Sequence, residues 1–264
     1  MINNKNKQRK LGVVLGYVNF AVKMATQLLY VPIMIKILGQ SEYGVYQLVA
    51  SIIAYLSLLN FGFGGAYLRF YAKCKNDSEE EAKLNGTFLS IFSVFAVLVL
   101  IIGIMISINA QAILGTKLTA DEIALSKVLL FILAINMALT FPISVFSSIV
   151  SSREAFVFQK VVELLRNIAS PFFMILILLM GKGSIGLVCV TTVLTIVTGI
   201  INVWYVKEKI QAKFLFKGFD TRLIKEIGAF SFFIFLNSII DQINWNFDKY
   251  LLGRMVGAVA IAVY

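Results

Sequence analysis

LGVVLGYVNFAVKMATQLLYVPIMIKIL, residues 11–38, decides how this chain is read, because a lysine stands in the middle of an otherwise apolar run. A helix needs about 20 predominantly apolar residues to cross a bilayer core, and Leu11 to Leu38 supplies them. Lys23 breaks the pattern. A charge at membrane depth is costly, and where it occurs it faces a cavity or a partner. Asn19, Lys23 and Gln27 recur at i, i+4 and i+8, so a helix places all three on one stripe. Asn237, Asp241, Asn244 and Asp248 repeat at helical spacing near the other end of the chain and form a second stripe. Two polar stripes on apolar spans are what a hydrated pathway through a membrane requires.

The composition agrees. Of the 264 residues, 59% are hydrophobic and 14% charged, and the mean hydropathy is +0.86. A soluble domain carries about 25% charged residues, so the chain reads as a polytopic membrane protein. A net charge of +10 first suggests nucleic acid. The basic residues instead fall in short connections between apolar runs, where they set topology, so no nucleic-acid partner is expected. Histidine is absent, which removes Ser-His and Cys-His catalysis and imidazole metal sites. Cys74 lies in a connection and Cys189 inside a span, so neither a disulfide nor a metal framework is expected. The run after the basic start is too long for a signal peptide and reads as a retained anchor.

Seven stretches are long enough to span: Leu11–Leu38, Tyr43–Tyr71, Leu84–Ala110, Ala124–Val150, Val161–Met180, Ser184–Val206 and Ile227–Leu252. An eighth starts at Ala258. The fold class is therefore all-α, a polytopic membrane helical bundle. Its units are a basic N-terminus (1–10), a six-span N-terminal lobe (11–206), an amphipathic linker (207–226) and the start of a second lobe (227–264). Seventeen of the 24 basic residues fall on one side of this arrangement, in the N-terminus and in the second-to-third, fourth-to-fifth and sixth-to-seventh connections, the fourth-to-fifth holding Arg153, Lys160 and, at the span edge, Arg166. The positive-inside rule makes that side, and the N-terminus, cytoplasmic. The linker mixes lysines with Phe214, Leu215, Phe216 and Phe219, the make-up of a segment lying at the membrane interface. Asp77 to Glu81 reads as a solvated acidic turn. Gly62, Gly64 and Gly65 interrupt the second span, and Pro32, Pro142 and Pro171 stand inside helices.

A Leu-Gly ending followed by a small-Val-Tyr opening occurs twice, at Leu38-Gly39 with Gly44-Val45-Tyr46 and at Leu252-Gly253 with Ala262-Val263-Tyr264. That fits parallel repeats, two halves facing each other across a midplane site.

The stretch Leu38-Gly39-Gln40-Ser41-Glu42-Tyr43-Gly44-Val45-Tyr46, followed by Leu58-Leu59-Asn60-Phe61-Gly62-Phe63-Gly64-Gly65 and Arg69-Phe70-Tyr71, resembles the polysaccharide flippases, Wzx-like exporters of the multidrug/oligosaccharidyl-lipid/polysaccharide superfamily. Phe219-Asp220-Thr221-Arg222-Leu223-Ile224-Lys225-Glu226 looks like that family's approach to its seventh span, and Asp248-Lys249-Tyr250-Leu251-Leu252-Gly253 like the exit from it. The chain departs from the family in having Asn60 where Asp is common, and Phe232-Phe233 where Pro is often found. The resemblance implies a two-lobe bundle around a central cavity, of which this chain holds the first lobe and the start of the second and so looks C-terminally truncated. It implies a multi-pass protein of the cell membrane that is not an enzyme. Its activity would be translocation of polyprenyl-diphosphate-linked oligosaccharide units to the outer leaflet for surface polysaccharide such as O-antigen or lipopolysaccharide. The implied partners are the lipid-linked oligosaccharide, membrane lipid and the machinery that polymerises the polysaccharide.

The residues suit that chemistry. A polar head cannot cross hydrocarbon without a hydrated lumen. Lysine offers phosphate a point charge and three donors, and arginine a planar fork. Lys23 and Arg69 are the candidate phosphate ligands, with Asn19, Gln27 and Asn60 as polar lining. Asp241, with Asn237 and Asn244 a turn to either side, offers oxygens to a coupling cation, Na⁺ or H⁺; no resident cofactor or catalytic residue is expected. Two structural readings stand beside these: an ion pair locking Lys23 to Asp241, and an anchoring role for Arg69 near its span's end. The alternative function is a cation-coupled multidrug exporter of the same superfamily, for which an acidic lumen would be expected. A receptor or retinal protein with Lys249 as Schiff base fits poorly, because its N-terminus would lie outside. A membrane glycosyltransferase would need a catalytic carboxylate set or a metal motif in its loops, and no loop holds a plausible set.

Overall fold

The computed structural model describes residues 2–60, 63–74, 77–115, 117–216 and 221–263, and every regular element among them is helical. Helix α1 runs Ile2–Leu56, but Gly39 inside it has φ 78 and ψ 165. A side chain is strained at that φ, so the position suits glycine. The break turns α1 into a hairpin of two arms: Met34 before the turn and Tyr43 after it share one apolar cluster with Met174, Leu178 and Leu187. The first span therefore ends at the Leu38-Gly39 step, as the sequence suggests.

The second span is divided. Over the expected span Tyr43–Tyr71, the second arm of α1 passes into a 3₁₀ turn, Ser57–Asn60, and helix is found again as α2, Phe63–Cys74. The glycines at 62, 64 and 65 are the sequence signal for that division, since glycine is a poor helix former.

Helix α3, Ser78–Ile108, begins on an N-cap: the Asp77 side chain accepts from the backbone N–H of Glu79 and Glu80, at 2.9 and 3.2 Å. Glu79, Glu80 and Glu81 then fill its first turn, where carboxylates favour the positive end of the helix dipole. The acidic turn is thus more than a solvated one. Glu81 is buried and pairs with Arg153 at 2.5 Å, joining α3 to the connection after α5. A short α4, Ala110–Leu114, precedes α5, Ala120–Ser152, which opens on a capping box between Thr119 and Glu122. Helices α6, Phe156–Leu179, and α7, Gly183–Tyr205, form a hairpin. A π turn, Val206–Ile210, leads into an irregular stretch. Helix α8, Thr221–Met255, and α9, Ala258–Val263, complete the described chain.

Six of these helices are long and apolar enough to cross a membrane, counting α1 as one. The bundle is held by α3 on α5, α5 on α7, α7 on α6 and α6 on the first arm of α1. Its outer surface is apolar. Tyr17, Leu28, Ile108, Leu179, Trp245 and others stand more than two-thirds exposed, as expected of lipid-facing positions. One end of the bundle gathers basic residues with carboxylate partners, in Arg9–Glu154, Lys73–Glu226 and Arg153–Glu81. We call it the basic end. At the opposite end, Glu42 accepts from the backbone N–H and hydroxyl of Ser184 at 2.6 and 2.7 Å.

The connection after α7 docks on α3. The Leu215 N–H donates to the Ala82 carbonyl at 2.9 Å, and the Asn85 amide donates to the Lys213 carbonyl at 3.0 Å. Asn85 in turn accepts from the Tyr67 hydroxyl at 2.6 Å, a fully buried pair. Phe214 lies against Phe146, while Leu215 and Phe216 are exposed. Residues 217–220, the remainder of the expected interfacial linker before Thr221, lie outside the described residues.

Candidate transport site

Helix α6 carries the polar groups that matter, and α1 and α7 face them from either side. On the α1 side, Asn19 is buried at 3% exposure. Its amide donates to the Lys160 carbonyl at 2.8 Å, and its oxygen accepts from the Asn167 amide at 3.3 Å. One turn further along, Lys23, Thr26 and Gln27 face Asn167 and Ser170 across an open cleft of about 120 Å³, lined also by Tyr30 and Met174. The expected stripe exists, and its members differ. Asn19 is spent on holding α1 to α6. Lys23 and Gln27 are exposed, with neither hydrogen bond nor ion pair among the described residues.

On the other side of α6 lies a second cleft, of about 280 Å³, between α5, α6 and α7. Ser147, Gln159, Lys160, Glu163, Arg166 and Asn202 line it. Lys160 is neutralised by Glu163 at 2.7 Å, and Gln159 is held by the Ser151 hydroxyl at 2.6 Å. Arg166 has no carboxylate partner among the described residues. Its guanidinium donates to the Thr195 hydroxyl oxygen at 3.1 Å, which also accepts from the Asn136 amide at 3.0 Å. Ten residues separate Arg166 from the start of α6, a rise of about 15 Å, which puts the guanidinium well inside the span.

Arg166 is the residue that sequence reasoning misplaced. Starting the fifth span at Val161 left it at a span edge among topology-setting cations. Helix α6 begins five residues earlier, and the spacing Gln159, Glu163, Arg166, Ser170 is a polar stripe at helical period. That spacing was the available signal.

The remaining candidates are scattered. Arg69 lines neither cleft; its guanidinium sits 4.5 Å over the Phe230 ring and ties α2 to α8. The side chain of Asn60 lies outside the described residues. Asn237, Asp241 and Asn244 are exposed along α8. No ion pair joins Lys23 to Asp241 among the described residues, so the lock between them is not formed in this structure.

Among the described residues the chain is an all-helical bundle with six helices long and apolar enough to cross a membrane, which defines a class, that of multi-pass membrane proteins. Its fold is similar to that of a MOP superfamily transporter from Pyrococcus furiosus, described as having a binding pocket of reverse polarity that suggests a different function. The TM-score is 0.64 at 16% identity, over 92% of this chain and 54% of that one, so the chain spans about half the length of the transporter it matches. The protein belongs to the polysaccharide biosynthesis protein family, whose profile matches residues 12–264. No curated protein matches the chain.

Proposed function

We propose that this chain supplies the first lobe, and the beginning of the second, of a flippase of the Wzx-like kind. It would carry polyprenyl-diphosphate-linked oligosaccharide units from the cytoplasmic to the outer leaflet of the cell membrane, for surface polysaccharide. The observation that carries this reading is a pair of intramembrane cations, Lys23 on α1 and Arg166 on α6, one in each of the two clefts. Lys23 stands without a partner among the described residues, and Arg166 stands without a carboxylate. An unpaired lysine or arginine at the centre of a span costs about 2.5–3.5 kcal/mol on insertion scales. A diphosphate passing through the lobe offsets that cost, because it pairs with ammonium and guanidinium through charge-assisted hydrogen bonds. A cationic drug would meet repulsion at the same two groups. The family agrees with that chemistry, and the sixteen basic residues left on the cytoplasmic side once Arg166 is counted inside its span support a cytoplasmic N-terminus under the positive-inside rule. Asp241, with Asn237 and Asn244, is the proposed station for Na⁺ or H⁺.

The test is complementation of a strain lacking its own flippase by the full-length protein, read as surface polysaccharide at matched protein level. Lys23→Arg is expected to keep partial export, because charge and donors remain. Lys23→Gln and Arg166→Gln are expected to lose most of it. Full export by Lys23→Gln/Arg166→Gln would overturn the reading, and drug resistance conferred without polysaccharide export would favour the multidrug alternative.

A further inference from the structure

The α6–α7 hairpin forms a third cavity, a groove open along its length that is apolar and separate from the two polar clefts, with walls such as Phe173 and Val193 about half exposed. It has a volume of about 870 Å³ and walls that include Phe173, Leu176 and Ile177 of α6 and Val190, Val193 and Val197 of α7. The stripe of α6 that faces α1 is Asn167, Ser170 and Met174, whereas the cavity takes Ala169, Phe173, Leu176 and Met180. The two sites therefore use different faces of one helix. We propose that this cavity holds one acyl chain of an anionic phospholipid, with the lipid phosphate at Lys182.

Three observations carry the assignment. The first is depth. The cavity runs along α6 from Ala169 to Met180, a rise of about 16 Å, and half of a hydrocarbon core is about 15 Å. The cavity is one leaflet deep and ends near the middle of the bundle. A fatty acyl chain has that length; a long isoprenoid overruns it. The second is polarity. Lys182 and Cys189 are the only lining residues other than aliphatic, aromatic, glycine or thioether groups, and no carboxylate lines the cavity. A sugar or a free phosphate placed inside would lose its hydration with nothing to replace it, whereas an alkyl chain suits the walls. The third is the charge at the mouth. Lys182 sits in the hairpin turn, exposed, with no ion pair among the described residues. The neighbouring carboxylate, Glu42, is already taken by the Ser184 N–H and hydroxyl. In the orientation proposed above, that mouth opens at the headgroup level of the outer leaflet.

The experiment uses the full chain in lipid nanodiscs made with equal amounts of phosphatidylglycerol and phosphatidylcholine of identical acyl chains. Lipids retained by the released protein are counted by native mass spectrometry. The wild type is expected to retain phosphatidylglycerol in preference, Lys182→Arg to keep the preference, and Lys182→Ala to lower it by about five-fold, the effect of one interfacial lysine. Val193→Trp, which fills the cavity, is expected to retain neither lipid there. Because that variant can misfold, a second measurement uses the wild type alone. A phosphatidylglycerol with a diazirine in its acyl chain should cross-link within residues 169–197 in excess of other exposed spans. Equal retention of both lipids by wild type and Lys182→Ala, or cross-links spread evenly over the apolar surface, would reduce the site to ordinary annular lipid and overturn the proposal. Displacement of phosphatidylglycerol by a polyprenyl phosphate at equal concentration would also overturn it, in favour of an isoprenoid occupant.

Discussion

Asn19 and Lys23 lie one helical turn apart on the same stripe, and the structure gives them opposite duties. Asn19 has two partners on α6. Asn19→Ala removes the buried amide that holds α1 to the Lys160 carbonyl and the half-buried Asn167, so it should destabilise the protein by about 1 kcal/mol or more. Lys23 touches no partner, so Lys23→Met should leave the thermal unfolding temperature in detergent unchanged or raise it, while abolishing export. Equal destabilisation by both substitutions would make Lys23 a structural residue. The same measurement addresses Asp241. An ion pair would show as rescue, Lys23→Ala/Asp241→Ala being more stable and more active than either single variant. Without such a pair in the structure, no rescue is expected.

How far the site could be read in the sequence divides along the same line. The stripe of Asn19, Lys23 and Gln27 was legible, because one helix and its period suffice to place it. That Asn19 would be consumed by α6 was not, because its partners lie some 140 residues away, at Lys160 and Asn167. Glu81, which is buried, pairs with the exposed Arg153, a contact for which local pattern offers no hint. Arg166 was visible as a residue and lost as a site, since moving a helix start by five residues moves a charge from the interface into the span. The apolar spans and the turn at Gly39 were legible for a physical reason: length and hydropathy are dictated by the bilayer itself.

At the scale of elements, α8 is fastened to the rest of the bundle at both ends. Toward the basic end its partner is α2. Gly65 approaches Ile234, Arg69 covers Phe230 and Lys73 pairs with Glu226. Each step of four residues forward on one helix is four residues back on the other, the register of an antiparallel pair. Toward the opposite end, the Tyr250 hydroxyl donates to the Ile113 carbonyl at 3.2 Å, and α9 seats Ala258 on Gly44. A methyl group on Gly44 would stand 1.9 Å from the Ala258 carbonyl oxygen, an overlap that backbone must move to relieve. Gly44→Ala should therefore destabilise by about 1–3 kcal/mol, as overpacking does. Gly65 offers the contrast, since its added methyl would meet the Ile234 side chain at an ordinary 3.8 Å. Gly65→Ala should stabilise by about 0.5–1 kcal/mol, the helix-propensity gain. Thermal unfolding of the two variants, measured side by side, checks the seat of α9; equal effects would mean that the close contact at Gly44 is not maintained.

For the whole molecule, the least covered spans are the ones with polar stripes. Only 6% of the most apolar window of α1, 11% of that of α6 and 12% of that of α8 is buried. Lys23, Gln27, Asn237, Asp241 and Asn244 are all exposed on them, and such groups are not tolerated facing hydrocarbon. Water or further protein must meet those faces, while Leu28 and Trp245, more than 70% exposed, meet lipid. Cysteine at Gln27 or Asn244 should thus react with a water-soluble thiol reagent, and cysteine at Leu28 or Trp245 should not. Cys74 and Cys189 are best replaced first. Burial, and then the nearby Glu81, push the Cys74 thiol above its ordinary range, so it is a sluggish reporter. In the same background, Lys117→Cys should label in intact cells and Asp77→Cys should stay protected. The reverse pattern would invert the membrane orientation and the direction of transport drawn from it.

The docking of the stretch after α7 on α3 sets a length limit on motion between the two halves. Leu215 is bonded to Ala82, and Lys213 to Asn85, while α8 resumes at Thr221. Whatever path residues 217–220 take, Phe216 and Thr221 are five residue steps apart, which reach about 17 Å when fully drawn out. The basic end of α8 can swing from α3 no further than that leash allows while both bonds hold. If the flippase proposed above works by rocking its lobes, its stroke is capped by covalent geometry at this corner, and a wider opening must first peel Leu215 from Ala82. Gly86 lies at the anchor point, where a methyl group would stand 1.9 Å from the Leu215 carbonyl oxygen. A side chain there would loosen the tether and lengthen the stroke without touching any group that meets the cargo.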